Sequence, residues 1–526
     1  MQTDAFHVFD TTLRDGAQRE GITYSVADKL AVARLLDEIG VGFIEGGWPG
    51  AMPKDTEFFA RAADGELTLK YATLVAFGST RKAGVAVQDD PQVRALLDSR
   101  APVVTLVAKS DVWHVERALR TTLEENLAMV RETVAFLHGE GRRVFLDCEH
   151  FFDGYKHDRD YGVRVLDAAA AGGADVGVLC DTNGGMLPMG VQEIVSQVSR
   201  RAGIRLGIHT QDDTGCAVAN TFAAVEAGAT HVQGTANGYG ERAGNANLFS
   251  VIGGLVTKMG RDVLPDGCLS ELVRVSHAIA EIANLAPDTH APYVGASSFA
   301  HKAGLHASAI KVSPELYNHL DPNIVGNDQR ILVTEMAGRA SVELKSRELG
   351  VDVGSRPDVV SKVVDAVKER EADGWSYEAA DASFELLLHD ELGDAPIPFS
   401  VESYRVIIDR REDGAMVSEA TVKVHAGGRR IISTEEGNGP VNALDRAMRS
   451  ALESVFPRLL EFELTDYKVR ILQRSGGTLG TDAVTRVLVG TSDGQREWTT
   501  VGVHANVIEA SWFALVDAIR YGLLHG

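Results

Sequence analysis

Two carboxylates bracket an arginine in the run Asp10–Gly16 (Asp-Thr-Thr-Leu-Arg-Asp-Gly), directly after an apolar, β-rich start at Phe6, Val8 and Phe9. A strand that ends this way, followed by glycine and a polar segment leading to a helix, is how a barrel delivers catalytic groups to the mouth of a site. Asp15 offers hard oxygens to a divalent cation. Arg14, always charged, suits a carboxylate or a developing oxyanion. The bland reading is a surface Arg/Asp pair capping a helix. A second group lies at 207–213, Gly-Ile-His-Thr-Gln-Asp-Asp. On a strand, residues i and i+2 project to one face, so His209 and Gln211 can aim together at a barrel mouth while the acids follow in the loop. A histidine at a strand end is commonly structural; paired with Asp15 it becomes a candidate ligand. Gly234–Asn245 is a glycine-rich turn with two Asn carbonyls and a Glu-Arg pair, equally a phosphate cradle or a tight turn.

The elements that must position these groups are legible as a rhythm. Over the first ~275 residues, short β-branched runs alternate with longer amphipathic helices, the pattern of βα units and a parallel sheet. The candidate strands are Phe6–Asp10, Val41–Glu45, Tyr71–Ala76, Val103–Val107, Val144–Asp147, Val176–Cys180, Leu206–His209 and His231–Gly234. Eight at this spacing predict an α/β fold, a (βα)8 TIM barrel of ~250 residues. Leu123, Leu127, Val130, Val134 and Leu137 step by four and three along one of its helices. A doubly wound open sheet is the alternative. Against it, polar residues end nearly every strand instead of gathering at one crevice.

From about Ala278 to Pro396 the rhythm lapses into loops and short helices, with a helical stretch at Pro357–Arg370, and Asp394-Ala-Pro-Ile-Pro punctuates a boundary. The expected domains are therefore 1–277, a barrel; 278–396, a mostly helical connecting region; and 397–526, an α+β module. That module contains an internal ββα-type repeat. Ala420–Val424, Arg429–Ser433 and the helix Asn442–Leu452 match Arg486–Val489, Trp498–Val503 and the helix Glu509–Leu523. A duplicated unit of this kind either dimerises or binds a ligand at the repeat junction, or serves as a purely structural dimer arm.

Composition narrows the class. With 44% apolar and 24% charged residues among 526, the chain has ample core. A net charge of −22 argues against a nucleic-acid or membrane-surface binder, although a few local cations suffice for an anionic small substrate. No apolar run approaches the ~20 residues of a membrane span, and the start lacks a signal-peptide pattern. Cys148, Cys180, Cys216 and Cys268 are too scattered for a disulfide framework or a structural zinc site. A reduced, cytoplasmic protein is expected.

Taken together, Asp10–Gly16, His209-x-Gln211 and Gly240–Asn245 (Gly-Glu-Arg-Ala-Gly-Asn) resemble the DRE-TIM metallolyase superfamily. The closest branch is that of the 2-isopropylmalate, homocitrate and citramalate synthases. The resemblance covers the whole chain. Glu436–Ala447 looks like the regulatory domain of these synthases, and Glu45–Asp55 looks most like the long citramalate synthases.

The resemblance implies a Claisen-type condensation of acetyl-CoA with a 2-oxo acid, pyruvate here, followed by thioester hydrolysis to citramalate. It also implies feedback by isoleucine or leucine and a homodimer. A 2-oxo acid chelates a divalent metal through its carboxylate and keto oxygens. The matching metal positions are Asp15, His209, Gln211 and Asn245, with Arg14 beside the keto oxygen or enolate. Glu149 matches the family's strand-end glutamate and His306 its histidine from the connecting region. Tyr317 falls where a family tyrosine sits. His306 and Tyr317 would reach the barrel mouth from outside it, from this chain or a partner subunit. Each of these three has a plain alternative as a salt-bridged acid, a helix-packing residue or ordinary core. Thr182 would bind the oxo-acid carboxylate.

The family usually has a second histidine at position 211 and an asparagine at 212. A Gln211 carbonyl favours Mg²⁺ or Mn²⁺ over Zn²⁺. Otherwise Asp212 takes over a ligand position, or metal binding weakens. Pocket walls are expected from Leu74–Phe77 and Leu106–Lys109, where Leu74 and Phe77 would favour a methyl over an isopropyl group. The competing readings are a 2-isopropylmalate or homocitrate synthase, a lyase acting on a 3-hydroxyacyl-CoA or 4-hydroxy-2-oxo acid, and a non-catalytic amino-acid sensor.

Overall fold

A computed structural model describes residues 5–353, 356–394, 397–410, 412, 414–472 and 483–525. Of the sequence expectations, the chain start before Ala5 and the boundary at Ala395 and Pro396 lie outside the described residues. Two compact units emerge. One runs up to Phe299 and includes Leu320–Asp328; the other comprises Ala300–His319 and the chain from Gln329 onward. The division falls inside the connecting region, whose first part packs with the barrel.

The first unit is a closed barrel of eight parallel strands: β1 (His7–Asp10), β2 (Phe43–Gly47), β3 (Thr73–Ser79), β4 (Val103–Lys109), β5 (Arg143–Glu149), β6 (Val176–Asp181), β7 (Arg205–Thr210) and β8 (His231–Gly234). Each strand pairs with the next, and β8 returns to β1 through His7–His231 to Asp10–Gly234. The strands form because their apolar residues are β-branched or aromatic and face either the interior or the surrounding helices. Those helices are capped by the residues that precede them. Ser25 and Asp28 make a capping box on Val26–Glu38, and Thr122 caps Leu123–Gly139, whose Val130, Val134 and Leu137 are fully buried.

Inside the barrel the side chains lie in layers. Phe9, Phe43, Val75, Val103, Phe145, Val176 and Val178 form an apolar layer. One inward step further along the strands, two residues on, come Glu45, Phe77, Asp147, His209 and Gln233, toward the C-terminal mouth.

The second unit begins with a short parallel pair, β9 (Ala300–His301) and β10 (Arg330–Ile331). Helices follow at Gly304–Val312, Arg339–Glu348, Pro357–Ala372 and Asp381–Leu392. The repeat is real but longer than its expected ββα form, because each copy starts with one more strand. The first copy is β11 (Phe399–Arg410), β12 (Met416–Ala426), β13 (Arg429–Gly437) and the helix Pro440–Leu452. The second is β14 (Glu463–Leu472), β15 (Val484–Ser492), β16 (Glu497–His504) and the helix Val507–Leu524. Both sheets are antiparallel in chain order. The added strands lie at sheet edges. Phe399 is the one buried residue of β11, and β14 has none, so neither carries the alternation by which β12 and β15 are recognised. Among the described residues, no helix is long and apolar enough to cross a membrane.

Candidate active site

The mouth of the barrel holds a cavity of about 710 Å³. Arg14, Asp15, Phe77, Glu149, Thr182, His209 and Gln211, seven of the residues singled out from sequence, all line it. β1 ends in a tight turn in which Asp10 takes hydrogen bonds from the Thr12 amide (2.8 Å) and hydroxyl (2.7 Å). This turn swings Arg14 and Asp15 across the opening. Arg14 donates through Nε to Glu45 Oε2 at 2.6 Å, stands 3.3 Å from Asp15 Oδ1, and lies over the Phe77 ring at 3.9 Å. Burial opposes its charge, but Glu45, Asp15 and Asp147 outweigh that and hold the guanidinium protonated beyond its ordinary range.

Asp15 Oδ2 faces His209 Nε2 at 3.3 Å. Burial would push the Asp15 carboxyl up; Arg14 and His209 more than offset it and hold Asp15 well below the usual carboxylate range. His209 shifts the other way, upward, because Asp15 overcomes the effect of burial. Asp147, which lines the cavity, and Glu45, fully buried against Arg14, were missed by the sequence reading, and burial raises both carboxyls, Glu45 to about 7. Their signal was present in the strand alternation, which puts an acid at an interior position of β2 and of β5.

On the wall, Lys109 Nζ pairs with Glu149 Oε2. Thr182 Oγ1 accepts from the His150 amide at 2.9 Å, leaving the Thr182 hydroxyl free to donate. Arg242, from the glycine-rich turn, donates to Gln211 Oε1 (3.1 Å), to the Thr182 carbonyl (2.8 Å) and to Asp213.

Asn245 sits beside Gln211 through a β-bridge, yet it lines a neighbouring cavity of about 460 Å³. Its Nδ2 donates to the Tyr239 carbonyl at 3.1 Å, while its Oδ1 is buried with no partner among the described residues. Gly240 makes this fit possible, since a Cβ there would come within 2.2 Å of Asn245 Nδ2. Other buried polar atoms without partners, Glu45 Oε1 and Trp48 Nε1, belong to the same surroundings, which marks the region as built for something other than stability.

Two sequence expectations change. Leu74 and Leu106 do not line the cavity, because they sit at the outward-facing positions of β3 and β4 and pack toward the helices. Phe77, Val107, Ala108 and Lys109 are the lining residues. Asp212 is engaged elsewhere, its Oδ1 accepting from the Ala217 amide (2.8 Å) at the start of the helix Ala217–Glu226. His306 and Tyr317 belong to the second unit. There their rings stack at 4.1 Å, with His301 edge-on to both.

The loop after β2 is braced from outside the barrel. Lys29, buried in the helix Val26–Glu38, reaches the Gly46 carbonyl (3.0 Å) and pairs with Asp55. Asp55 Oδ2 takes the Trp48 amide at 2.8 Å, and the Trp48 ring meets Phe77 edge-on at 5.1 Å.

The HMGL-like family model matches residues 5–279, the (βα)8 barrel that carries this Arg-Asp-His mouth. The homocitrate synthase post-HMGL domain-like model matches 293–374, and the LeuA allosteric (dimerisation) domain model matches 378–523. The chain is 65% identical over 522 residues to the (R)-citramalate synthase of Streptomyces coelicolor, covering 99% of this chain and 97% of that one. It is 48% identical over 520 residues to the (R)-citramalate synthase of Aquifex aeolicus, covering 98% of each. Identity falls to 31% over 522 residues with a probable 2-isopropylmalate synthase of Methanopyrus kandleri, covering 98% of each. The chain belongs to the (R)-citramalate synthase family. The wider HMGL-like family generally uses a divalent metal.

Proposed function

We propose that the chain is an acyltransferase that condenses acetyl-CoA with pyruvate and hydrolyses the thioester, giving citramalate and free CoA. The observation that carries this reading is the buried Arg14–Asp15–His209 group on the cavity floor, with Glu149 on the wall. The cavity is far larger than a three-carbon acid needs and leaves room for a thioester-bearing arm.

Asp15, His209 and the unpartnered Asn245 carbonyl suit a hard divalent cation, and amide carbonyls favour Mg²⁺ or Mn²⁺ over Zn²⁺. Gln211 Oε1 already accepts from Arg242, and its second lone pair is the one it could offer beside them. A bound metal supplies Lewis-acid polarisation of the 2-oxo acid.

The protein's own groups do the rest. Arg14, fixed by Glu45 and by the Phe77 ring, presents N–H donors to the oxygen that gains charge when the carbon–carbon bond forms. Glu149 takes a proton from the acetyl methyl, and the Lys109 ammonium holds the Glu149 carboxylate in place. Thr182 donates its hydroxyl to the oxo-acid carboxylate. Water then attacks the thioester carbonyl, the C–S bond breaks, and the thiolate leaves as CoA once protonated. His306 and Tyr317 are assigned to the proton transfers of this second stage. The C-terminal repeat is assigned to dimerisation and to feedback by isoleucine, with leucine as the other candidate effector.

Release of free CoA thiol from acetyl-CoA, with Mg²⁺ or Mn²⁺, tests the reading across pyruvate, 2-oxobutyrate, 2-oxoisovalerate and 2-oxoglutarate. Release is expected to be strongest with pyruvate and lost in Asp15→Ala. Preference for 2-oxoisovalerate or 2-oxoglutarate would move the substrate to a neighbouring branch, and no release with any oxo acid would reject the synthase. Adding isoleucine or leucine to the same assay tests the effector.

A further inference from the structure

We propose that Asn126 is a positioning residue for Glu149, acting through the peptide that joins Lys109 to Ser110 at the end of β4. The inference rests on the reading of Glu149 as the base. Asn126 is fully buried on the helix Leu123–Gly139, and its Nδ2 donates to the Lys109 carbonyl and to the Tyr161 hydroxyl, each at 2.9 Å.

A trans peptide is a plane whose C=O and N–H point to opposite sides. On one side of the 109–110 peptide, the Ser110 amide donates to the Glu149 carbonyl at 3.1 Å, and the Ser110 hydroxyl donates to the same oxygen at 2.7 Å. The Lys109 carbonyl therefore faces away from β5. The pairing of β3 with β4 ends at Ser79–Val107, so the carbonyl lies past the last strand partner on that side and Asn126 takes it instead. One rigid plane is thus held by Asn126 on one edge and holds Glu149 on the other. The same plane starts from Lys109, whose ammonium pairs with the Glu149 carboxylate. Past Glu149 the chain turns at once, with His150 at φ 58 giving its amide to Thr182.

Stability alone does not account for the asparagine. A carbonyl only accepts, so the amide nitrogen must face Lys109, and Asn126 Oδ1 is left buried with no partner among the described residues. An unbonded buried amide oxygen is destabilising, and asparagine is a poor helix former. Without the amide, the 109–110 peptide is free to turn, and the Ser110 amide and the Lys109 ammonium lose their common reference. A shift of about 1 Å at a reacting group is enough to lower a rate about 10²-fold.

The test uses thiol release by the full chain. Asn126→Ala is expected to lower kcat about 10- to 100-fold with KM for pyruvate unchanged. The deuterium isotope effect from trideuterated acetyl-CoA should rise above the wild-type value, because proton removal becomes the slow step. Ser110→Ala, which removes one of the two bonds to the Glu149 carbonyl, should move both quantities the same way by less, and it decides the matter if Asn126→Ala does not fold. Tyr161→Phe removes the other partner of the amide without touching β4, and should leave kcat and the isotope effect at their wild-type values.

Wild-type kcat in folded Asn126→Ala would overturn the inference. So would an unchanged isotope effect beside a lowered kcat, or an equal loss in Tyr161→Phe, which would make Asn126 a packing residue. Glu149→Gln tests the underlying reading separately. A fall of about 10²–10⁴-fold is expected there, and wild-type activity would reject Glu149 as the base whatever Asn126 shows.

Discussion

One inward step along a strand separates two layers of the barrel that do opposite work. Phe43, Val75 and Phe145 fill the lower layer and gain from leaving water. Glu45, Phe77 and Asp147, two residues further on, build a layer in which charge is taken out of water. Each buried carboxyl there responds according to its partners. Burial and the neighbouring Asp147 push Glu45 up to about 7 despite Arg14, whereas Asp15, also enclosed, stays low because His209 faces it as well as Arg14. The difference teaches that the apolar layer supplies stability, part of which the polar layer gives up to hold a charged site in place.

Breaking the lower layer should have the largest effect. Phe145→Ala is expected to cost about 3–5 kcal/mol in denaturant unfolding. An unchanged midpoint would remove the contrast. Arg14→Lys, which keeps a positive charge facing Glu45 and Asp15 but loses the planar fork of donors, should do the reverse, lowering kcat by about 10²–10³-fold while unfolding stays within about 1 kcal/mol of wild type; a comparable loss of stability would make Arg14 a structural residue.

Glu45 sharpens the comparison through pH. The folded chain keeps the Glu45 proton up to about 7, while the unfolded chain releases it near the ordinary 4.5. The folded state thus binds more protons across that window, and the Glu45 contribution to stability falls as pH rises through it. Glu45→Gln should remove about 2 kcal/mol of that decline between pH 5 and 7, measured by unfolding in chelator. Parallel curves for the two chains would show that the carboxyl does not titrate there.

The smallest effect concerns selectivity. Phe77→Ala should shift preference toward larger 2-oxo acids by about 1–3 kcal/mol in relative kcat/KM, and Leu74→Ala should leave the ratio unchanged. Equal shifts from both would contradict the inward and outward facing of β3.

All eight barrel strands were legible because buried parallel strands concentrate β-branched residues, and Asp15, Glu149 and His209 at or just past their ends stood out by type, whereas Glu45 and Asp147 did not. Period-two alternation could have excluded Leu74, but the apolar run Tyr71–Ala76 masks which face is which. Gln233 was invisible as a site residue, and Lys109 was read only as the end of a pocket wall, without its ion pair to Glu149. A glutamine or lysine at a strand end has no distinctive pattern, and both acquire meaning only from partners 24 and 40 residues away. The edge strands β11 and β14 escaped for another reason. With little of either strand buried, nothing in their sequences records a core face.

Lys29 shows how far a site's sensitivity can extend. It stands on the outer ring of helices and touches no part of the cavity, yet its ammonium holds Asp55, Asp55 holds the Trp48 amide, Trp48 meets Phe77, and Phe77 carries Arg14. A random-mutagenesis screen for altered oxo-acid choice would thus recover hits at position 29, on a helix that a search confined to the pocket would never sample. Inheritable change in selectivity has an entry point on the outside of the barrel.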